Sequence, residues 1–162
     1  MKRIVICDAN ILIDYAKANK KIIALVTEHL YEIWVPLPVW EEVNDLSRDD
    51  AEVLGINVIE PSLAQTYEAA NMYGGGLSDE DHLCFVMVRD EKAICATNEK
   101  SLRKKCKDND IEVLWGLQMM IQLCDKGKLT IKLAERVARK IAQENITITK
   151  EIITRFITRS TT

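Results

Sequence analysis

The stretch Ile4-Val5-Ile6-Cys7-Asp8-Ala9-Asn10-Ile11-Leu12-Ile13-Asp14 decides how the fold begins. Residues 2–7 pass from charged side chains into a fully apolar, β-branched run, the composition of a strand covered on both faces in a parallel sheet. That run stops at Asp8. Beyond it Ile11, Leu12, Tyr15 and Ala18 recur three and four apart, as on one face of a helix. A strand that feeds directly into a helix is the first half of a crossover unit, the connection parallel strands require.

The rest of the chain repeats this rhythm. A second apolar helix is predicted over about 21–30, followed by a short strand, Ile33-Trp34-Val35-Pro36, that its proline ends. Pro38 then suits the first position of another helix. Ile56-Asn57-Val58-Ile59 reads as a strand between Gly55 and Pro61, residues 62–73 as a helix, and Gly74-Gly75-Gly76 as its break, a hinge between helices. Residues 78–88, 93–96, 101–107, 111–114 and 116–124 continue as helix, strand, helix, strand, helix. The alternation predicts an α/β fold of three layers, α/β/α, around a mostly parallel central sheet. From about residue 130 the pattern changes to two amphipathic helices joined near Asn145, the second with Thr149 as its cap and Ile152, Ile153, Phe156 and Ile157 on one face. With 162 residues and 48% hydrophobic composition, the expectation is a single domain, its core about 2–125 and a helical extension about 130–160.

Composition removes several function classes. No apolar run approaches the ~20 residues that span a bilayer, and the apolar stretch after Lys2 and Arg3 is too short for a secretory signal, so a cytoplasmic protein with no membrane partner is expected. Cys7, Cys84, Cys95, Cys106 and Cys124 are odd in number and lack any C-x-x-C pair, which argues against a disulfide framework or a zinc site and for reduced, mostly buried thiols. A net charge of -3 means that any surface for nucleic acid must be local.

In an open parallel sheet, ligands gather outside the carboxyl ends of the strands. The residues there are disproportionately acidic. Asp8 closes the first strand, Glu41 and Glu42 fall in the helix after the second, Asp81 stands in the first turn of the helix over 78–88, and Glu99 follows Ala96-Thr97-Asn98. Carboxylates that converge raise one another's proton affinity unless a cation compensates. Hard oxygen donors suit Mg²⁺ or Mn²⁺, which activate water and stabilise phosphoryl oxyanions, so the pattern points to phosphodiester hydrolysis.

At these residues the chain resembles the PIN-domain family. The opening stretch through Asp8-Ala9-Asn10 is similar to the family's strand followed by Asp-x-Asn/Ser. Val39-Trp40-Glu41-Glu42-Val43 resembles its second acidic motif, Leu77-Ser78-Asp79-Glu80-Asp81 its third, and Ala96-Thr97-Asn98-Glu99-Lys100-Ser101-Leu102 its Thr-x-Asp segment, all in family order over about residues 2–125. The resemblance implies a metal-dependent ribonuclease with Asp8, Glu42, Asp81 and Glu99 as catalytic metal ligands and Asn10 and Thr97 orienting them. Glu99 stands where the family usually has aspartate; its extra methylene implies either a water-mediated reach or a weaker second metal site. Such domains occur as nuclease toxins of VapBC toxin-antitoxin modules and in RNA-processing factors, so the implied partners are an RNA substrate and an antitoxin protein; the apolar stripe Ile152, Ile153, Phe156 and Ile157 of the tail is expected to meet a second copy of the chain, an antitoxin segment or the core itself.

Each of these residues also has a plainer explanation. Asp8 suits the cap of the first helix, and Ser78-x-x-Asp81 matches a capping box; neither role conflicts with binding a metal. Helical phase, with Val39, Val43 and Leu46 inward, favours Glu42 over Glu41. Asp14, Asp79 and Glu80 read as surface charges, with Asp79 near enough for a water-mediated contact. His82 reads as structural, and the three glycines lack the Gly-Lys-Ser/Thr ending of a phosphate loop. Lys100, Arg103, Lys104, Lys105 and Lys107 either hold RNA phosphates or form a solvated helix face. Besides the nuclease, two further functions fit the pattern: a weakly active or inactive PIN-like module that binds RNA or protein, and a phospho-accepting domain, which needs an acceptor Asp after the central strand, where Asn57-Val58-Ile59-Glu60 offers only Glu60.

Overall fold

A computed structural model of the chain describes residues 1–144. The second tail helix expected from the sequence, with Thr149, Ile153 and Phe156, lies outside the described residues. Strand β1 (Arg3–Cys7) pairs in parallel with β2 (Tyr31–Pro36) on one side and β4 (Ile94–Ala96) on the other; β3 (Ile56–Ile59) extends the sheet beyond β2, and β5 (Val113–Leu114) beyond β4. The order is β3-β2-β1-β4-β5, and every pairing is parallel. This central place explains the opening run: Val5 sits opposite Ile33 and Ile94, and Val5, Ile6 and Cys7 are buried. Each such aliphatic side chain contributes roughly 1.5–3 kcal/mol on leaving water.

Helices cover both faces. Helix α6 (Asp79–Glu91) packs on β1, β2 and β4, with α5 (Leu63–Ala70) and α7 (Lys100–Asp108) beside it. A second layer joins α1 (Ala9–Asn19), α2 (Lys21–His29), α8 (Gly116–Asp125) and α9 (Ile131–Glu144). The result is the three-layer α/β/α architecture that the alternation predicts. The tail's first helix, α9, lies against α1 and α8, burying Ala134, Val137, Ala138 and Ile141.

Two elements differ from the sequence pattern. The helix after β2, α3 (Leu37–Trp40), has only four residues, and Glu41 and Glu42 lie in the tight turn behind it, where the Glu42 amide donates to the Val39 carbonyl. A separate helix, α4 (Arg48–Leu54), begins at Ser47, whose side chain and that of Asp50 close a reciprocal capping box. Asp50 three residues after Ser47 was the signal for that start. The helix expected over 62–73 ends at Ala70, and the one expected over 78–88 continues to Glu91, where Lys92 takes a left-handed conformation.

Chain direction across the sheet reverses between β1 and β4. From β1 the chain moves outward through β2 and β3; it then crosses back to β4 and on to β5. The two helices that follow these central strands, α1 and α7, belong to opposite layers, so a crevice opens where their strands end. Asp8 and Thr97 are the residues at that point, and the Asp8 amide donates to the Ala96 carbonyl at 3.0 Å. Gly116 holds the far side together. Its amide donates to Asn98 Oδ1 at 3.0 Å, its carbonyl accepts from the Tyr15 hydroxyl at 2.6 Å, and a Cβ there would meet Ile11 Cδ1 at 2.9 Å. The segment carrying Thr97 and Glu99 is thereby tied to the start of α8.

Candidate active site

Asp8 is 7% exposed and uses both oxygens. Oδ1 accepts from the Asn10 amide at 2.8 Å as the cap of α1, and Oδ2 accepts from the Thr97 hydroxyl at 2.7 Å. Thr97 Oγ1 in turn accepts from the Glu99 amide at 3.0 Å, and the Asn10 side chain donates to Glu99 Oε1 at 3.2 Å. One small network therefore fixes Asp8 and Glu99 relative to each other. Capping leaves Asp8 with spare lone pairs, because an ionised carboxylate offers about four acceptor sites.

The first turn of α6 brings the next group. Ser78 caps the helix, its hydroxyl accepting from the Asp81 amide at 3.1 Å while Asp81 Oδ2 accepts from the Ser78 amide at 3.0 Å. This reciprocal bond fixes the Asp81 side chain in the first turn of α6. Gly76, with φ of +73°, brings the backbone into the same wall; a Cβ there would stand 3.1 Å from Ser101 Oγ on α7. All three glycines have positive φ, so the predicted break of the helix is a real turn, and its last residue borders the site.

Together these residues enclose a cleft of about 560 Å³. Asp8, Glu42, Glu80, Asp81 and Glu99 line it, over a floor that includes Ile13, Val39 and Cys84. Electrostatics register the crowding. Burial pushes the Asp8 carboxyl above its ordinary 3.8, against the Thr97 and Asn10 hydrogen bonds that lower it, and Asp81 and Glu99 push it further up. Glu42 is also raised, by partial desolvation first and then by Glu80, Asp8 and Asp81. Cys84 beneath them keeps its proton, since burial and the charges of Asp8 and Asp81 raise its thiol well above the usual range.

A family model described as a PIN domain matches residues 4–162, nearly the whole chain and all four acidic segments. The chain belongs to the PIN-domain family. No curated protein matches it. PIN domains are in general nucleases that use divalent metal ions, and the donor set of this one fits such a cation: ionisable oxygens, with no basic side chain among the described residues that line the cleft. Among the described residues, no three His, Cys, Asp or Glu side chains already close on a single point. Mg²⁺ does not require that. It keeps several of its waters and is commonly held by one or two carboxylates.

Of the residues read from the sequence, Asp8, Asn10, Glu42, Asp81 and Glu99 line the cleft, and Thr97 lies buried behind Asp8. Glu41 stays outside and exposed, so the choice between the two glutamates follows the buried positions Val39, Val43 and Leu46 although both glutamates sit in a turn. Glu80 corrects the expectation of a surface charge: it is half-buried and lines the cleft. The phase of α6 hid it, because a first-turn residue beside a capping box looks solvated from the sequence. Asp79 faces a neighbouring groove. His82 is buried in α6 outside the cleft lining, and its Nδ1 has no hydrogen-bond partner among the described residues. Glu60 is exposed after the edge strand β3, outside the cleft, whereas β1, which ends in Asp8, is central.

The basic run divides. Lys104 pairs with Asp108 at 2.9 Å along α7, and Lys105 lies 4.8 Å above the Phe85 ring. Lys100 and Arg103 make no ion pair among the described residues, and Arg103 Nε is buried without a partner. None of these side chains lines the cleft, though Lys100 directly follows Glu99.

Proposed function

We propose that this PIN domain is a metal-dependent endoribonuclease, with Mg²⁺ or Mn²⁺ held by Asp8, Glu42, Asp81 and Glu99 and with single-stranded RNA as substrate. The observation that carries the proposal is the convergence of five carboxylates on one cleft at the strand-order reversal, with no basic side chain among the described residues that line it. When bound, the ion would neutralise these carboxylates, lower the pKa of water and stabilise charge on the phosphate oxygens. Thr97 and Asn10 would orient Asp8 and Glu99 for that task. Lys100, Arg103 and Lys104, beginning one residue past Glu99, would hold phosphates on the α7 side of the cleft. A role as a toxin with a cognate antitoxin, and self-association, belong to the same proposal. The central test is cleavage of a labelled single-stranded RNA by purified protein with Mn²⁺ and with chelator. Cleavage only with the ion supports the proposal, and RNA binding without cleavage under any divalent ion would favour an inactive binding module.

The two adjacent glutamates give a sharper test within this proposal. Glu42→Gln is expected to lower cleavage by about 100-fold or more, beyond the range for groups that only orient a ligand, because it removes a proposed ligand charge without changing side-chain size. Glu41→Gln is expected to cleave at the wild-type rate. The opposite ranking would remove Glu42 from the site.

A further inference from the structure

A second depression adjoins the cleft. It holds about 230 Å³ between α3, α5 and α6 and shares one wall with the cleft, the side chain of Glu80. Its sides are apolar: Pro38 from α3, Ala69 and Ala70 with the methyl-bearing Thr66 from α5, and Leu83 from α6. Two carboxylates, Asp79 and Glu80, complete its lining. Beyond Ala70 the chain runs directly to Gly76 and Ser78 of the cleft, and midway it carries Tyr73, 85% exposed.

We propose that this groove is a nucleobase subsite with a preference for guanine, taking a base that flanks the phosphate in the cleft. The inference rests on the nuclease proposal and deepens it. Apolar walls accept the faces of a base, and a few polar groups among them set its orientation. Selectivity comes from the carboxylates, which only accept hydrogen bonds when ionised. Guanine alone presents two adjacent N–H donors, from its ring imino and exocyclic amino groups, on the Watson–Crick edge through which single-stranded bases are read. A carboxylate matches that pair with two parallel bonds. Adenine and cytosine offer one amino group beside an acceptor, which faces the carboxylate unfavourably, and uracil presents an imino donor between two acceptors.

Placement agrees with this assignment. The groove lies on the side of the cleft built by elements that follow β2 and β3, whereas the basic helix α7 follows β4 on the other side. A strand of RNA that crosses the cleft would therefore meet cationic side chains before its scissile phosphate and a base pocket after it, or the reverse. The acidic groove suits a neutral base and repels a phosphate, so it directs the backbone toward the cleft.

The test uses the full chain without metal and the four ribonucleosides, which carry no phosphate, in an amide NMR titration. Guanosine is expected to shift the resonances of Ala69, Ala70 and Leu83 and to bind on the order of tenfold more tightly than the others, the effect of one charge-assisted hydrogen bond. Asp79→Asn should erase that difference, and Ala70→Phe, at an exposed helix position, should abolish binding of every nucleoside. In metal-loaded cleavage of short RNAs with a single guanine, Asp79→Asn should lose the positional preference. Equal affinities for the four nucleosides, or shifts confined to other residues, would overturn the proposal, as would a peptide that occupies the groove while guanosine does not. Guanosine binding in a protein that cleaves no RNA would leave the subsite standing and remove the nuclease proposal.

Discussion

If the proposed ribonuclease reading holds, Asp8→Asn is expected to lower RNA cleavage by more than about 100-fold and to leave the protein folded. The magnitude follows from the proposed role: groups that merely orient a metal ligand are worth 10- to 100-fold, and in the proposed site Asp8 touches the ion itself. Folding survives because Asn keeps an acceptor for the Asn10 amide, and its own amide can donate to Thr97 in place of the bond it received. Stability gives a second readout with a definite sign. Burial raises the folded Asp8 carboxyl above its ordinary 3.8, so the folded state holds that proton more tightly than the unfolded chain does. Above the folded value the ionised group costs stability, and that cost disappears as pH falls through the folded value toward 3.8. In metal-free buffer the variant therefore gains Tm relative to wild type as pH rises across this window. Mn²⁺ at 100 times its Kd reverses the ranking, stabilising wild type by about 2.7 kcal/mol and the variant hardly at all. Undiminished cleavage by the variant, or an equal Mn²⁺ effect on both proteins, would remove Asp8 from the metal site.

The sheet was legible because its strands are extreme in composition. Ile4-Val5-Ile6-Cys7 can only be the middle of a parallel sheet, and it is paired on both edges. The cleft was legible for a related reason: strand ends converge in such a fold, so carboxylates placed there by sequence meet in space without any knowledge of the loops. Where loops decide the outcome, sequence periodicity fails. Glu41 and Glu42 follow an apolar pattern that looks helical through Leu46, yet α3 stops at Trp40 and the inward positions are met by successive turns. Val39, Val43 and Leu46 are buried all the same, so the choice of Glu42 follows from burial with the wrong local conformation. Glu80 shows the converse. Nothing in Leu77-Ser78-Asp79-Glu80-Asp81 separates three consecutive acids, since all three lie in the first turn of α6; only packing against the residues after β2 turns Glu80 toward Glu42 and Asp79 toward the adjoining groove. Asn98 and Gly116 are a further case. Their bond and the bound Tyr15 hydroxyl set the loop that carries Glu99, and no spacing rule links residues so far apart in the chain.

Thr97→Val is the substitution that separates orientation from packing. Thr97 is fully buried, and its amide donates to the Leu114 carbonyl, so the backbone of β4 and β5 keeps its pairing when the side chain changes. Valine has the same shape and lacks the hydroxyl. Asp8 Oδ2 then loses its donor and the Glu99 amide its acceptor, at a cost of about 1–3 kcal/mol in stability. Cleavage is expected to fall by on the order of 10- to 100-fold, the range for groups that orient a ligand. A packing defect could imitate both effects, so the deciding readout is the pH dependence. The Thr97 hydrogen bond lowers the Asp8 carboxyl and opposes the upward push of burial. Its removal moves that carboxyl further up, and because only the ionised form holds a cation, the acid limb of the rate profile shifts to higher pH in the variant. The deficit then shrinks as pH rises past the new value. Thr97→Ser restores the hydroxyl without the methyl and should return the limb to its wild-type position, even if stability stays low. A loss that is the same at every pH, unrescued by serine, would mean that Thr97 only fills space.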